Sequence, residues 1–263
     1  MNKRNSPIGI FDSGVGGLSV WKELVAVLPK ESVIYYADTA NCPYGPKKQE
    51  EIERIASGIV DFLISKNCKI IIVACNTATA AAIEFLRSKY PIPFIGMEPA
   101  VKPAALNSKT KSIAILATEG TFNGKLYHDT SAKFAKDVEL NIEIGDKLVE
   151  IVEKGLIKEP DTNDHIKSLV KPLIEKEIDH LVLGCTHFPF LMEVLKEALP
   201  SHVKIVNPAP AIVMQTKRVL KSNNLSRIDE LKPNYSFYTS SSSKVLCSML
   251  KELTNSDYEI IEL

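Results

Sequence analysis

The chain carries no surplus of charge: 32 lysine and arginine residues balance 32 aspartate and glutamate residues over 263 positions. A surface built for nucleic acid needs a basic excess, so that class is set aside. No apolar run approaches the roughly 20 residues that cross a bilayer. The opening Met1-Asn2-Lys3-Arg4-Asn5-Ser6-Pro7 leads into a short strand with no signal-peptide core, which predicts a cytoplasmic protein. Cys-x-x-Cys is absent. The five cysteines are an odd number, which points to free thiols in a reducing compartment rather than a disulfide framework. Cys185-x-His187 lacks the ligand spacing of a zinc site, so no metal is expected. The first glycine turn lacks the dinucleotide spacing. No lysine sits in a comparable strand-end glycine context, so no pyridoxal phosphate is expected. What remains is 45% apolar and 24% charged, a globular composition, with length for one large or two small domains.

The pattern centres on Ile70-Ile71-Ile72-Val73-Ala74-Cys75-Asn76-Thr77. An apolar run ends in a cysteine, and Ala78, Ala81, Ala82, Phe85 and Leu86 then recur at helical spacing. The reading is a buried strand, a tight turn holding Cys75, and a helix. Unpaired N–H groups and the helix dipole at that start predict a thiol held below its free pKa of about 8.5. The design recurs at Leu181-Val182-Leu183-Gly184-Cys185-Thr186-His187, with helical spacing at Phe188, Leu191, Met192, Leu195 and Leu199 and Pro189 in the first turn. Cys75 and Cys185 are read as equivalent points of two similar halves, each at the carboxyl end of a strand.

The first strand, Ile8-Gly9-Ile10-Phe11, ends in Asp12-Ser13-Gly14-Val15-Gly16-Gly17. A helix follows, with Leu18, Trp21, Leu24, Val25 and Leu28 on one face and Pro29 as a stop. That turn either presents amides to an anion or simply packs tightly. Asp12 either caps the helix or handles an ammonium group or proton. Val33–Ala37 is the second strand, and the loop after it displays Tyr44 in a Pro-Tyr-Gly-Pro turn. Glu98 to Pro103 and Asn207 to Pro210 read as crossovers between two strand–helix alternations. Within the second, Leu148 to Val152 form a helix closed by Gly155, and Pro172 predicts a kinked or shortened helix around residues 166–174. Cys68 reads as inert, and Cys247 as core on its helix face.

Three readings of the two thiols compete: a disulfide, disfavoured by compartment; one nucleophile with a spectator; or an acid and a base opposed across one cleft. The last accounts best for the duplication. Inverting a carbon centre removes a proton on one face and delivers one on the other. Thiols reach both protonation states near neutrality, and each such group contributes on the order of 10²–10⁴-fold. Asn76, Thr77, Thr186 and adjacent amides are placed to hold the carboxylate of a developing carbanion.

These residues resemble the cofactor-independent glutamate racemases of the Asp/Glu racemase superfamily. The motifs are Asp12-Ser13-Gly14-Val15-Gly16-Gly17, Ala37-Asp38-Thr39-Ala40 with Pro43-Tyr44-Gly45, Ala74-Cys75-Asn76-Thr77, Glu98-Pro99-Ala100 and Gly184-Cys185-Thr186-His187. Their order spans nearly the whole chain. The resemblance implies two pseudo-symmetric, doubly wound α/β domains with parallel-rich sheets and the active site in the cleft between them. The first domain comprises 1–98 plus a returning tail, 211–263, and the second comprises 99–210. It implies L-/D-glutamate interconversion without a cofactor, supplying D-glutamate for peptidoglycan, in a homodimer. Cys75 would act on D-glutamate and Cys185 on L-glutamate, assisted by Asp12 and His187. Asp12, Ser13, Tyr44, Gly45, Asn76, Thr77, Thr186 and His187 would bind substrate. Glu153 aligns with a family glutamate near the second thiol; the alternative is a solvated helix-end carboxylate. Gly145-Asp146 stands where the family often has Cys-Pro. An aspartate racemase of the same superfamily tends to carry glutamate where this chain has His187. The rival from another class is a non-catalytic ligand-binding relative.

Overall fold

In a computed structural model, residues 3–97, 100–145 and 147–263 are described, the side chains of Lys125 and Leu126 apart. Glu98, Pro99 and Asp146, and with them one motif and one domain boundary named above, lie outside the described residues.

The apolar runs become the strands β1 (Ile8–Asp12), β2 (Val33–Ala37), β3 (Ile70–Val73), β4 (Phe94–Gly96), β5 (Ser112–Ala117), β6 (Glu139–Ile144), β7 (His180–Gly184), β8 (Lys204–Val206), β9 (Tyr235–Thr239) and β10 (Glu259–Glu262). Between them run α1 (Leu18–Val27), α2 (Gln49–Ser65), α3 (Asn76–Lys89), α4 (Val101–Asn107), α5 (Glu119–Phe122), α6 (Lys125–Phe134), α7 (Leu148–Glu153), α8 (Pro160–Ile174), α9 (Met192–Ala198), α10 (Ala209–Ser222) and α11 (Lys244–Leu253). One sheet has the order β10-β9-β2-β1-β3-β4 and the other β6-β5-β7-β8. Every pairing in both is parallel. The fold is therefore α/β with two parallel sheets.

Parallel sheets are covered on both faces, which is why their strands read as continuous apolar runs rather than alternating ones. Ile8, Ile10, Ile70 and Ile72 join a cluster with Leu18, Trp21 and Leu24 of α1 and Ile212 and Val213 of α10. On the opposite face Phe11, Ile71 and Val73 cluster with Ile55, Ile59 and Leu63 of α2 and Ala78, Ala82 and Leu86 of α3. The second sheet is covered likewise. Ile113, Ile115 and Val182 meet Val101, Ala104 and Ala105 of α4, while Ala114, Leu116, Leu181 and Leu183 meet helices α7, α8 and α9. That last layer is continuous with the α1 layer of the first sheet, so one apolar cluster runs through both.

Two four-strand segments, β2-β1-β3-β4 and β6-β5-β7-β8, repeat one order: second, first, third, fourth. In that order the chain leaves the first strand to one side and returns for the third on the other. The crevice between their carboxyl ends is the ligand position of open α/β sheets. Asp12 ends β1 with Ser13 just beyond it, and Cys75 follows β3; Thr118 follows β5 and Cys185 follows β7. The last strands extend the first sheet, with Val33 of β2 beside Tyr235 of β9 and β10 beyond it.

Several details depart from expectation. Helix α8 starts at Pro160 and reaches Ile174 despite Pro172. Pro172 stands in the last turn, where it forfeits one i→i−4 bond just before the helix ends. Phe188–Leu191 is a 3₁₀ turn ahead of the short α9, so Cys185 does not begin a long helix as Cys75 does. Cys247 is only half-buried, at the margin of its helix's apolar face.

Candidate active site

Cys75 has extended backbone (φ −97°, ψ 124°) and caps α3, its Sγ accepting the Ala78 N–H at 3.4 Å. Its thiol lies 3.8 Å from Ser13 Oγ, as donor to the hydroxyl. Ser13 is held there by register: β1 pairs with β3 through Phe11 and Val73, which brings the residues beyond each strand side by side. Asp12 is completely buried at the end of β1, accepting from Gly14 N–H and Thr186 Oγ–H at 2.9 Å each. The loop after β2 is tied down by Asp38, which accepts from Tyr44 OH at 2.6 Å, from Asn41 at 3.0 Å and from Ser240, just past β9, at 2.9 Å.

From the second sheet come Cys185, Thr186 and His187. His187 is buried between two partners, with Nδ1 3.6 Å from Cys185 Sγ and Nε2 2.6 Å from Glu153 Oε1. Glu153, the last residue of α7, also accepts the Val15 N–H at 2.7 Å. The glycine turn owes its composition to this seam. A Cβ on Gly14 would stand 1.9 Å from Glu153 Oε1, and one on Gly16 2.4 Å from His187 Nδ1. The turn therefore packs tightly, and the anion its Val15 amide meets is the chain's own Glu153. Hydroxyls cross the same seam: Thr77 Oγ1 lies 2.8 Å from Thr118 Oγ1, which lies 2.9 Å from Thr121 Oγ1.

Cys75 and Cys185 line one small cavity with Ser13, Tyr44, Gly45, Asn76, Thr77, Thr118, Val149 and His187. Its volume is about 10 Å³, room for about one water molecule. Asn76 stands apart among these residues: both side-chain polar atoms are buried with no hydrogen-bond partner among the described residues. Leaving such a group unpaired costs about 1–3 kcal/mol, so the amide is poised for a partner that enters the cavity.

The electrostatics correct one expectation. The cap bond to Cys75 is present, but burial, reinforced by the Asp12 charge, outweighs it and pushes the thiol up to about 12. A helix start lowers a thiol's pKa and burial raises it, and at Cys75 burial is the larger effect. Burial likewise raises the Asp12 carboxyl to about 6, against the lowering effect of His187. Burial opposes charge on His187, but its bonds to Cys185 and Glu153 prevail and hold the imidazolium well above the ordinary histidine range.

All the site residues expected from sequence gather here: Asp12, Ser13, Tyr44, Gly45, Asn76, Thr77, Cys75, Cys185, Thr186 and His187, with Glu153 reaching the group through His187. Sequence reasoning missed Thr118, whose signal is its place at the end of β5, and Asp38 with Ser240, which anchor the tyrosine loop. Cys42, without an expected role, lies 4.0 Å from Ser13 Oγ. No helix among the described residues is long and apolar enough to cross a membrane.

Comparison with known proteins follows the same lines. The family profile of Asp/Glu/Hydantoin racemase matches residues 8–216. A glutamate racemase of Herpetosiphon aurantiacus is 41% identical over 222 residues, covering 84% of this chain and 87% of its own. Among solved structures, a glutamate racemase isoform from Bacillus anthracis superposes with a TM-score of 0.89 at 31% identity, covering 99% of this chain and 98% of its own. The glutamate racemase of Francisella tularensis, solved in complex with D-glutamate, gives 0.85 at 29% identity over 99% and 98%.

Proposed function

The chain belongs to the Asp/Glu/Hydantoin racemase family, and from that premise we propose that it interconverts L- and D-glutamate by passing the α-proton between two thiols, without a cofactor. The observation that carries this reading is a single cavity bordered by one cysteine from each sheet, each past the third strand of the same repeated strand order. A carbon atom between two such sulfurs loses a proton to one and gains a proton from the other on the opposite face.

Cys185 takes the proton from L-glutamate and Cys75 gives one back; in reverse the roles exchange. Burial keeps Cys75 in its thiol form, so the first half is charged for delivery. Asp12, with a carboxyl near 6, accepts the Cys75 proton when that sulfur must act as base. His187, in contact with Cys185 and Glu153, exchanges a proton with the second sulfur. The α-carboxylate of the carbanion needs fixed donors, and Asn76, Thr77, Thr186 and Ser13 supply them. Tyr44-Gly45 closes the substrate wall. An amino acid with a carboxylate side chain is far larger than one water molecule, so binding parts the seam at Thr77–Thr118, Asp12–Thr186 and Val15–Glu153 and catalysis follows reclosure.

On this reading residues 1–98 with 211–263 form one domain and 99–210 the other. The protein works in the cytoplasm as a homodimer, and its product D-glutamate supplies peptidoglycan synthesis.

The test is turnover of L-glutamate in heavy water by dialysed protein, with L-aspartate alongside. D-Glutamate carrying deuterium at the α-carbon is expected from glutamate, and no comparable product from aspartate. Cys75→Ala and Cys185→Ala should each abolish racemisation. Near-normal turnover by either variant, or activity that dialysis removes and a cofactor restores, defeats the two-thiol reading.

A further inference from the structure

Three metal-binding donor types meet beside the thiol pair, although the chain keeps them far apart in sequence. Cys42 Sγ, a carboxylate oxygen of Glu153 and a ring nitrogen of His187 all lie within 4.8 Å of one another. They come from the loop after β2, the end of α7 and the turn after β7, so the group straddles the seam. We propose that these three side chains bind a zinc ion that bridges the two halves and reversibly inhibits the enzyme. The inhibition rests on the racemase reading, whereas the binding does not.

Thiolate, carboxylate and imidazole are the donors zinc takes, at about 2.3, 2.0–2.2 and 2.0–2.1 Å respectively. Tetrahedral geometry with those bond lengths sets the donor atoms roughly 3.3–3.6 Å apart, inside the spread already present. The His187–Glu153 contact, 2.6 Å, has to open by less than about 1 Å to reach that separation. The fourth vertex is left for water. Charge also balances, since a thiolate and a carboxylate offset the ion and a neutral imidazole completes the set. The metal itself displaces the thiol proton.

Two further observations meet what a metal site requires. The donors are supported from outside: Val15 N–H holds Glu153 at 2.7 Å, and Ser13 Oγ lies 4.0 Å from Cys42 Sγ. Such outer partners orient ligands and strengthen binding. There is also a way in. A separate cavity of about 460 Å³ is lined by both Cys42 and Glu153, together with Val15 and Val149. Zinc bound there occupies a ring nitrogen of His187 and ties the seam shut. Turnover stops because the proton partner of Cys185 is occupied and the cleft cannot open to substrate.

The experiment uses the full chain, reduced and stripped with chelator, and cobalt(II) as the spectroscopic probe. The expected result is one equivalent of cobalt with a thiolate-to-metal charge-transfer band, displaced by zinc. The band should vanish in Cys42→Ser, persist in Cys68→Ser and require about tenfold or more metal in Glu153→Gln. Cys42→Ser should turn over glutamate like the wild type without zinc, while its zinc inhibition weakens about tenfold or more. Its melting temperature, compared with the wild type, excludes misfolding. Cobalt binding lost in Cys42→Ser supports the site even if no glutamate turnover is found, which would defeat only the racemase reading. A band that survives in Cys42→Ser, zinc inhibition of undiminished strength in that variant, or no saturable binding overturns the proposal.

Discussion

Replacing Gly14 with alanine tests whether the glycine turn serves Glu153 or the substrate. The added Cβ would lie 1.9 Å from Glu153 Oε1 and 2.5 Å from its Cδ. The clash is with the end of a flexible side chain, so the backbone stays and Glu153 swings out. Two contacts are then lost, the Val15 N–H bond at 2.7 Å and the His187 Nε2 contact at 2.6 Å. Hydrogen bonds to a charged group contribute about 1.5–3 kcal/mol each. The Glu153 side chain is 16% exposed, so the displaced carboxylate recovers part of this from water, while Val15 N–H and His187 stay buried. The net loss of stability is about 2–4 kcal/mol. His187 also loses one of the two groups that hold its proton, so kcat falls about 10–100-fold, or about 1.4–2.8 kcal/mol of barrier, with KM little changed.

The assay is a double-mutant cycle over wild type, Gly14→Ala, Glu153→Ala and the double variant, read by denaturant unfolding and by kinetics in both directions. With the carboxylate already gone, the three atoms nearest the new methyl are gone with it, so the double variant should match Glu153→Ala within about 0.5 kcal/mol. Additive costs refute the reasoning. So does a Gly14→Ala enzyme that raises KM and spares kcat, because the glycine would then make room for ligand instead of for Glu153.

Asp12→Asn should stabilise the fold at neutral pH. Burial raises the Asp12 carboxyl from 3.8 to about 6, so its favourable contribution is complete below about 3.8 and is lost as pH climbs through about 6, a swing of about 3 kcal/mol. Thermal melts from pH 4 to 8 should show the variant's advantage growing over that window; a flat difference contradicts it. His187 has a raised folded value as well, so what it contributes is present below the ordinary histidine range and disappears only in alkali. Wild-type stability should therefore fall at high pH more than that of His187→Gln. Asn76→Ala removes two buried, unpaired polar atoms, so the ligand-free protein should lose little or no stability while KM for glutamate rises about tenfold or more. Destabilisation with unchanged KM would make Asn76 structural.

The parts of the site that were legible in the sequence are those whose chemistry is local. A cysteine after a buried apolar run, followed by small polar residues and a helical period, places Cys75 correctly because strand, turn and cap all lie within a few residues. The pairing of the halves also showed, since both thiols follow the third strand of a repeated unit. What sequence could not show is contact across the seam. Val15 and Glu153 are separated by 138 positions and Asp12 and Thr186 by 174, and no periodicity links such pairs. The same blindness left two readings of Glu153 open, the family glutamate near the second thiol and a solvated helix-end carboxylate, and left Cys42 without a role. The thiol pKa failed for a related reason: the helix start is a local feature, but the desolvation that overrides it comes from burial among residues distant in sequence, Phe11 and Tyr44 in the same cluster among them.

The repeated halves do not repeat their chemistry. The first sets a buried carboxyl beside its thiol, and the second sets an imidazole held by a glutamate. Asymmetric machinery on a reaction between mirror images is tightly constrained. L- and D-glutamate have equal free energy in water, so kcat/KM must be the same in both directions for the wild type and for every variant. The difference between Asp12 and His187 can therefore appear only in how each direction divides that ratio between kcat and KM. Damage to the His187–Glu153 arm should change the division most where Cys185 starts as base, with L-glutamate, and damage to Asp12 where Cys75 does, with D-glutamate. Full progress curves from both enantiomers measure this. Two variants that alter the division identically would show that the two arms act as one structural unit rather than as separate proton partners.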